Sequence, residues 1–271
     1  MIDVVGKIGS MALVDSRHNN VDYNKFARLG RQLRPGMVWV SSGATEIGRL
    51  DYMQRNGKEL EGNADEVKMD YAAQGQAVLM QTYRNFIDPR YSVRQVLVEH
   101  GHFNDAAKRE NIRQMLLRAS EQNAVPIVNY NDAVSCEENR KMEIRRLRDR
   151  REAVVELVDN DETAAQIACL VRAKALLIFS TLNGIYSDVR DPATLIGEIS
   201  APTAAEVLEK IDKAKALCEG ASRAGANGAK AKLEYIKPCI EAGVNVWIAG
   251  ADYDIDEVLG GKAPCTRIHI G

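Results

Sequence analysis

Short apolar runs and amphipathic stretches alternate along this chain, and their order predicts its elements. Ile2–Val5 reads as a strand, followed by the turn Gly6-Lys7-Ile8-Gly9-Ser10. Val21–Leu33 spaces Phe26, Leu29 and Leu33 as a helix does, and Pro35-Gly36 ends it. Met37–Val40 is a second strand, breaking at Ser41-Ser42-Gly43-Ala44 into a further helix. Gln54–Asp65 is polar enough to read as an exposed loop, ahead of a long helix over Val67–Phe86. Strands at Val93–Val98 and Val125–Val128 bracket a helix at Ala106–Ser120. Ala175–Phe179 is another buried strand, helices are expected at Ala204–Ala216 and Ala229–Ala242, and Val244–Ala249 is the last clear strand. Near-continuous apolar strands separated by helices predict a mainly parallel sheet covered on both faces.

One stretch departs from this plain alternation. Over Val154–Leu170 an apolar run is broken by Asp159-Asn160-Asp161 and then becomes an Ala-rich helix pattern carrying Ile167 and Leu170. A helix start offers free backbone N–H groups and a positive dipole end. By itself the cluster reads as a cap: Asp159 with Glu162 looks like a capping box, and Asp161 is also a good N-cap. A second polar cluster, Asn129-Tyr130-Asn131-Asp132, follows the strand pattern Val125–Val128. Two Asn/Asp clusters at the ends of apolar runs point to one shared site at the carboxyl edge of a sheet.

Composition narrows the classes. The 271 residues are 45% hydrophobic and 27% charged, enough to bury a large core. The formal net charge of -2 offers no general attraction to nucleic acid or to an anionic membrane. No apolar run reaches the ~18 residues a spanning helix needs. Cys136, Cys169, Cys218, Cys239 and Cys265 lack metal-ligand spacing, so reduced thiols in a cytoplasmic protein are expected. The histidines His18, His100, His102 and His269 form no ligand pattern; His100 and His102 could line a pocket, although surface positions are the ordinary expectation.

Three glycine-containing turns precede helices: Gly6–Ser10, Ser41–Ala44, and Gly225-Ala226-Asn227-Gly228-Ala229 with Lys230 and Lys232 beyond. Glycine lets backbone approach an anion closely, although many such turns need glycine for steric reasons alone. None fits GxxxxGK[ST] or GxGxxG, so a P-loop or a dinucleotide fold is disfavoured. Lys7 and Lys232 are suited to compensate charge on a transferring phosphoryl group.

Taken in order, Lys7-Ile8-Gly9-Ser10, Val40–Ala44 with Gly48-Arg49, Ala72–Gln76, Pro126–Asp132, Asp159-Asn160-Asp161, Asn183–Ser187 and Lys232-Leu233 resemble the amino acid kinase family, and within it the glutamate 5-kinases. The resemblance covers nearly the whole chain. It implies one domain over 1–271, a three-layer αβα sandwich, with an acceptor-binding part over about 1–170 and a nucleotide-binding part over about 171–271. It makes Lys7, Asp161 and Lys232 the catalytic set, with Asp161 orienting the two lysines. It assigns Ser42, Gly43, Asn129, Asp132 and Asn160 to the acceptor. On the nucleotide it places Lys7, Gly9, Ser10, Ser180, Thr181, Tyr186, Gly225, Ala226, Asn227, Gly228 and Lys232. ATP with Mg²⁺, an amino-acid-like substrate and a homodimer or homotetramer are implied as well. A protein-held metal is not expected, because nucleotide phosphates and water hold Mg²⁺.

Departures from that pattern stand out. Ser180-Thr181 replaces the family's Thr-Asp, and Gly225–Ala229 replaces Gly-Thr-Gly-Gly-Met. The carboxyl-terminal RNA-binding-like domain of many bacterial relatives is expected to be missing. Two segments are longer than the family's: Gln54–Asp65 and the basic Cys136–Glu152. The latter reads as a solvated helical arm, or as a device by which one or two of Arg145, Arg146, Arg148, Arg150 and Arg151 reach a second anionic group. Glutamate, another small carboxylate, a phosphonate or a phosphate remain open as acceptors, and a sensor without turnover is the non-enzyme alternative.

Overall fold

A computed structural model describes residues 1–135, 137–149, 154–218 and 228–271, with backbone alone for 137–139. Its strands are β1 (Val4–Ile8), β2 (Val14–Asp15), β3 (Asn20–Val21), β4 (Met37–Ser41), β5 (Ser92–Val98), β6 (Ala124–Tyr130), β7 (Ala175–Ser180), β8 (Glu198–Ala201), β9 (Asn245–Gly250) and β10 (Cys265–Ile270). The first helices are α1 (Tyr23–Gly30), α2 (Ala44–Asn56), α3 (Ala64–Phe86), α4 (His100–Asn104), α5 (Ala106–Glu121) and α6 (Glu137–Arg148). After them come α7 (Asn160–Val171), α8 (Ala204–Leu217), α9 (Ala229–Tyr235), α10 (Lys237–Glu241) and α11 (Ile255–Leu259). The mainly parallel sheet flanked by helices that the strand pattern predicts is the architecture found.

The chain divides into two compact units that interleave in sequence. The first comprises Met1–Ile8, Gly36–Val40 and Asp161–Gly271. Its strands run in the order β4-β1-β7-β9-β10-β8. β1, β7 and β9 are parallel neighbours, with Lys7 opposite Ile178 and Ser180 opposite Gly250. Their residues are almost all buried, as strands covered on both faces must be. β10 then reverses against β9 and pairs in parallel with β8.

One expectation needs correction here. Gly6-Lys7-Ile8 is not a turn; it belongs to β1. A Cβ on Gly6 would collide with the Trp39 indole, so glycine marks a close approach rather than a bend. Lys7 therefore sits on a rigid strand. The expected helix Ala229–Ala242 also divides, into α9 and α10 around Ile236. Pro238 sits in the first turn of α10, where its missing N–H is harmless, whereas inside a continuous helix it would break a hydrogen bond.

The second unit comprises Gly9–Pro35 and Ser41–Asn160. β5 and β6 pair in parallel from Ser92↔Ala124 to Val98↔Tyr130. α2 and α3 cross tightly at two glycines: a Cβ on Gly48 would strike the Tyr71 carbonyl, and one on Gly75 the Ala44 carbonyl. The exposed loop expected over Gln54–Asp65 is shorter than its polarity suggested. α2 continues to Asn56 and stops at Gly57, whose φ of 70° is a left-handed cap. α3 starts at Ala64, capped by the Asn63 side chain accepting from the Asp65 N–H. Residues 57–63 remain a mostly exposed loop, and the rest of the polar stretch lies on helix ends.

Candidate functional site

In the first unit the candidate site centres on Asp161. Its Oδ1 lies 2.7 Å from Lys7 Nζ and its Oδ2 lies 2.9 Å from Lys232 Nζ. Strand β1 supplies Lys7, the last turn of α9 supplies Lys232, and the first turn of α7 supplies the carboxylate. Asp161 is 3% exposed and Lys7 8%. Burial pushes the Asp161 carboxyl upward, but the two ammonium groups overcome it and hold it below the usual carboxylate range. Since α7 starts at Asn160, the residue before the helix is Asp159, and Asp161 spends its carboxylate on two cations. One buried anion fixing two cations leaves a net positive charge, suited to a phosphoryl group.

In the second unit the acceptor candidates form a chain of amides whose polarity can be deduced. The Tyr130 backbone N–H donates to Asn129 Oδ1 at 2.8 Å, which fixes that atom as the oxygen. Asn129 Nδ2 must then donate, and it does so to Gln76 Oε1 at 2.9 Å. Asn160 Nδ2 donates to Asn129 Oδ1 at 3.0 Å and to Ser42 Oγ at 2.9 Å. Two buried atoms are left without a partner at the ends of this relay, Gln76 Nε2 and Asn160 Oδ1. One is a donor and the other an acceptor. Buried polar groups are normally satisfied, so unpaired atoms of opposite kind mark a place for a ligand bearing both.

Gln76 and Asp132 line a cleft of about 340 Å³ together with Tyr130, Asn131 and Gln95. Burial raises the Asp132 carboxyl above its usual range, against the pull of the Lys68 ammonium and the Arg140 guanidinium. Ser41, buried, accepts from the Tyr83 hydroxyl at 2.8 Å and anchors the end of β4. Gly43 caps α2 with φ 110°, a conformation that favours glycine.

The remaining nucleotide candidates are spread along the chain. Gly9 and Ser10 begin a single turn of 3₁₀ helix after β1. Ser180 ends β7, Thr181 is exposed beyond it, and Tyr186 bridges to Leu195. The Gly228 carbonyl accepts from the N–H groups of Ala231 and Lys232 as α9 begins. Gly225, Ala226 and Asn227 lie outside the described residues.

Several residues were misread or missed from sequence. His100 is buried rather than on the surface, with Nε2 2.8 Å from Glu143 Oε2. His102 Nδ1 accepts from the Glu99 N–H as part of a cap. In the basic insertion Arg145 and Arg146 are exposed on α6 and Arg148 pairs with Glu156, while Arg150 and Arg151 lie outside the described residues. Arg140, which the density of arginines further on had obscured, donates to the Leu157 and Val158 carbonyls and acts electrostatically on Asp132. Gln76 stood in a segment already singled out, Ala72–Gln76, but without a role. The described cysteines are free thiols, with Cys169 and Cys239 bringing their sulfurs to 3.4 Å.

Comparison with known proteins adds to this geometry. The sequence profile of the amino acid kinase family matches residues 4–250. Glutamate 5-kinase from Dictyoglomus thermophilum is 30% identical over 93% of this chain and 62% of its own length. Glutamate 5-kinase 1 from Bacillus licheniformis is 30% identical over 98% of this chain and 68% of its own length. The chain thus spans about two thirds of the curated relatives it matches. Among solved structures, carbamate kinase from Giardia lamblia bound to AMP-PNP aligns with a TM-score of 0.61 at 13% identity, covering 100% of this chain and 98% of that one. Isopentenyl phosphate kinase from T. acidophilum aligns at 0.58 and 13%, covering 99% and 100%. These structural likenesses show the fold alone. Among the described residues no helix is long and apolar enough to cross a membrane.

Proposed function

The chain belongs to the amino acid kinase family, and from that premise we propose that it transfers the γ-phosphoryl group of ATP to a carboxylate of a small amino acid. The observation that carries this reading is the buried carboxylate of Asp161 shared between Lys7 and Lys232. Two ammonium groups fixed in advance can neutralise charge as a phosphoryl group moves, without reorganising at that moment. An ionised carboxylate acceptor has no proton to lose. One of its oxygens attacks the γ-phosphorus, the bond to the β–γ bridging oxygen breaks, ADP leaves, and an acyl phosphate forms. No general base is required, and Asp161, tied to both lysines, is an organiser rather than a base.

The acceptor end has matching chemistry. Asp132 and Asn160 Oδ1 suit an ammonium group, and Gln76 Nε2 suits a carboxylate oxygen. A bare phosphate dianion would face the Asp132 charge, which favours a zwitterion. Glutamate or a close analogue fits this description, and the glutamate 5-kinase relatives support it. ATP enters as its magnesium complex, the metal carried by phosphates and water. Incubating the chain with ATP and single amino acids, with hydroxylamine present to trap acyl phosphate, tests the proposal. Hydroxamate should form with an acidic amino acid. ADP release with phosphorylated alcohols or phosphates and no hydroxamate would overturn it.

A further inference from the structure

The basic insertion has no part in the reaction as described, yet it is docked by specific contacts. On α6 Ile144 is buried and Glu143 pairs with the buried His100 at 2.8 Å. Arg140 Nη1 donates to two successive carbonyls, Leu157 at 3.1 Å and Val158 at 3.0 Å. The segment it grips, 154–158, has no regular secondary structure and leads straight into α7. It is held by side chains instead. Asn104 takes both backbone groups of Val155, donating to the carbonyl at 2.7 Å and accepting from the N–H at 3.0 Å. Arg148 pairs with Glu156.

Leu157 shows what this grip resists. Its φ is 48°, in the left-handed region that a leucine seldom occupies, and its side chain is fully buried. Relaxing φ would swing its carbonyl and redirect the chain toward Asp159 and Asn160. Arg140 opposes that by holding the carbonyls on both sides of the bend's exit. Three residues past Leu157, Asn160 must place Nδ2 between Ser42 and Asn129 and leave Oδ1 facing the ligand. The same guanidinium also acts on Asp132, favouring its ionised form. Both groups assigned to the acceptor's ammonium are thus tied to one arginine of α6.

We infer that Arg140 is a positioning residue for acceptor recognition, acting through the strained Leu157–Val158 backbone. The inference rests on the kinase reading proposed above. Arg140→Ala and Arg140→Lys test it, with the exposed pair Arg145→Ala/Arg146→Ala as control. Arg140→Ala should raise the acceptor KM about ten- to a hundred-fold and leave the KM for ATP within two-fold. Millimolar guanidinium should recover part of that loss, Arg140→Lys should lie between, and the control should match wild type. Hydrogen exchange gives a readout that needs no turnover: amides of 155–160 should exchange at least ten-fold faster in Arg140→Ala, with β7 unchanged.

Unaltered exchange at 155–160 overturns the claim that Arg140 holds this segment. Faster exchange with an unmoved acceptor KM reduces Arg140 to a structural clasp and overturns the positioning role. A parallel rise of both KM values with a lower Tm does the same. If wild type makes no acyl phosphate, the kinase reading fails; wild-type turnover with an insensitive Arg140→Ala sinks only this inference.

Discussion

Gln76→Glu is the substitution that asks most of the amide relay. The Tyr130 N–H fixes Asn129 Oδ1, so Asn129 Nδ2 must find an oxygen at position 76, and a carboxylate supplies one as well as an amide does. The fold therefore keeps its internal bond, and the change falls on the buried Nε2, which becomes an oxygen. If that N–H meets an acceptor carboxylate, its loss costs about 1.5–3 kcal/mol, the range for hydrogen bonds to charged groups. At roughly 1.4 kcal/mol per decade, this is about a ten- to hundred-fold rise in acceptor KM. Two facing carboxylates add repulsion, so the upper end is expected. The KM for ATP should not move. Lowering the pH should protonate the introduced carboxyl and restore a donor, so the variant's acceptor KM should fall toward pH 5 while the wild-type value does not. Hydroxamate kinetics across pH read both effects. An acceptor KM within two-fold of wild type at pH 8 would refute the deduced polarity.

Lys232→Ala should lower kcat by roughly 10²–10³ with little change in acceptor KM, because its ammonium matters most while charge moves; an unchanged kcat would remove it from the reaction. Asp161→Asn should lower activity and Tm together, since two lysine ammonium groups lose their common anion. The Asp161 carboxyl is depressed in the folded state, so its stabilisation is present above the unfolded value of about 3.9 and is lost as pH falls through the lower folded value. The Tm gap between wild type and Asp161→Asn should accordingly be steady from pH 8 to 5 and close only below about pH 4. A gap that closes near neutrality would contradict the ion triad. Asp132 has the opposite sign: its carboxyl is raised, so its contribution favours folding below the unfolded value and is lost as pH rises through the folded one. Asp132→Asn should raise Tm at pH 7 while weakening acceptor binding, and a lower Tm would show that Lys68 and Arg140 outweigh burial.

Legibility from sequence followed how locally each feature is encoded. β7 and β9 were readable because continuous apolar runs announce strands buried on both faces. β10 was not: in Cys265–Ile270 only Thr266 and Ile268 are buried, a weak alternation next to β9. Lys7 was recognised but placed on a turn, since nothing in the sequence says that Trp39 fills the space beside Gly6. Asp161 and Lys232 could be paired only through the family resemblance, because they come from different helices. Gln76 faces a strand residue 53 positions away, and helix periodicity cannot choose among polar residues on α3. Arg140 was hidden because its partners are carbonyls presented by a leucine with positive φ, a conformation that residue type argues against.

The interleaving of the two units has a consequence for how the chain is made. Every residue of the second unit has been synthesised by Asn160, whereas the first still awaits Asp161–Gly271. β1 is among the earliest strands to emerge, but its parallel partner β7 begins only at Ala175. At roughly 5–20 residues per second, the intervening ~170 residues take on the order of ten to thirty seconds. During that interval a buried strand bearing the candidate lysine Lys7 lacks its neighbour on the β7 side. A nascent chain stalled after Asn160 should therefore show a folded second unit and a protease-sensitive, chaperone-bound amino terminus.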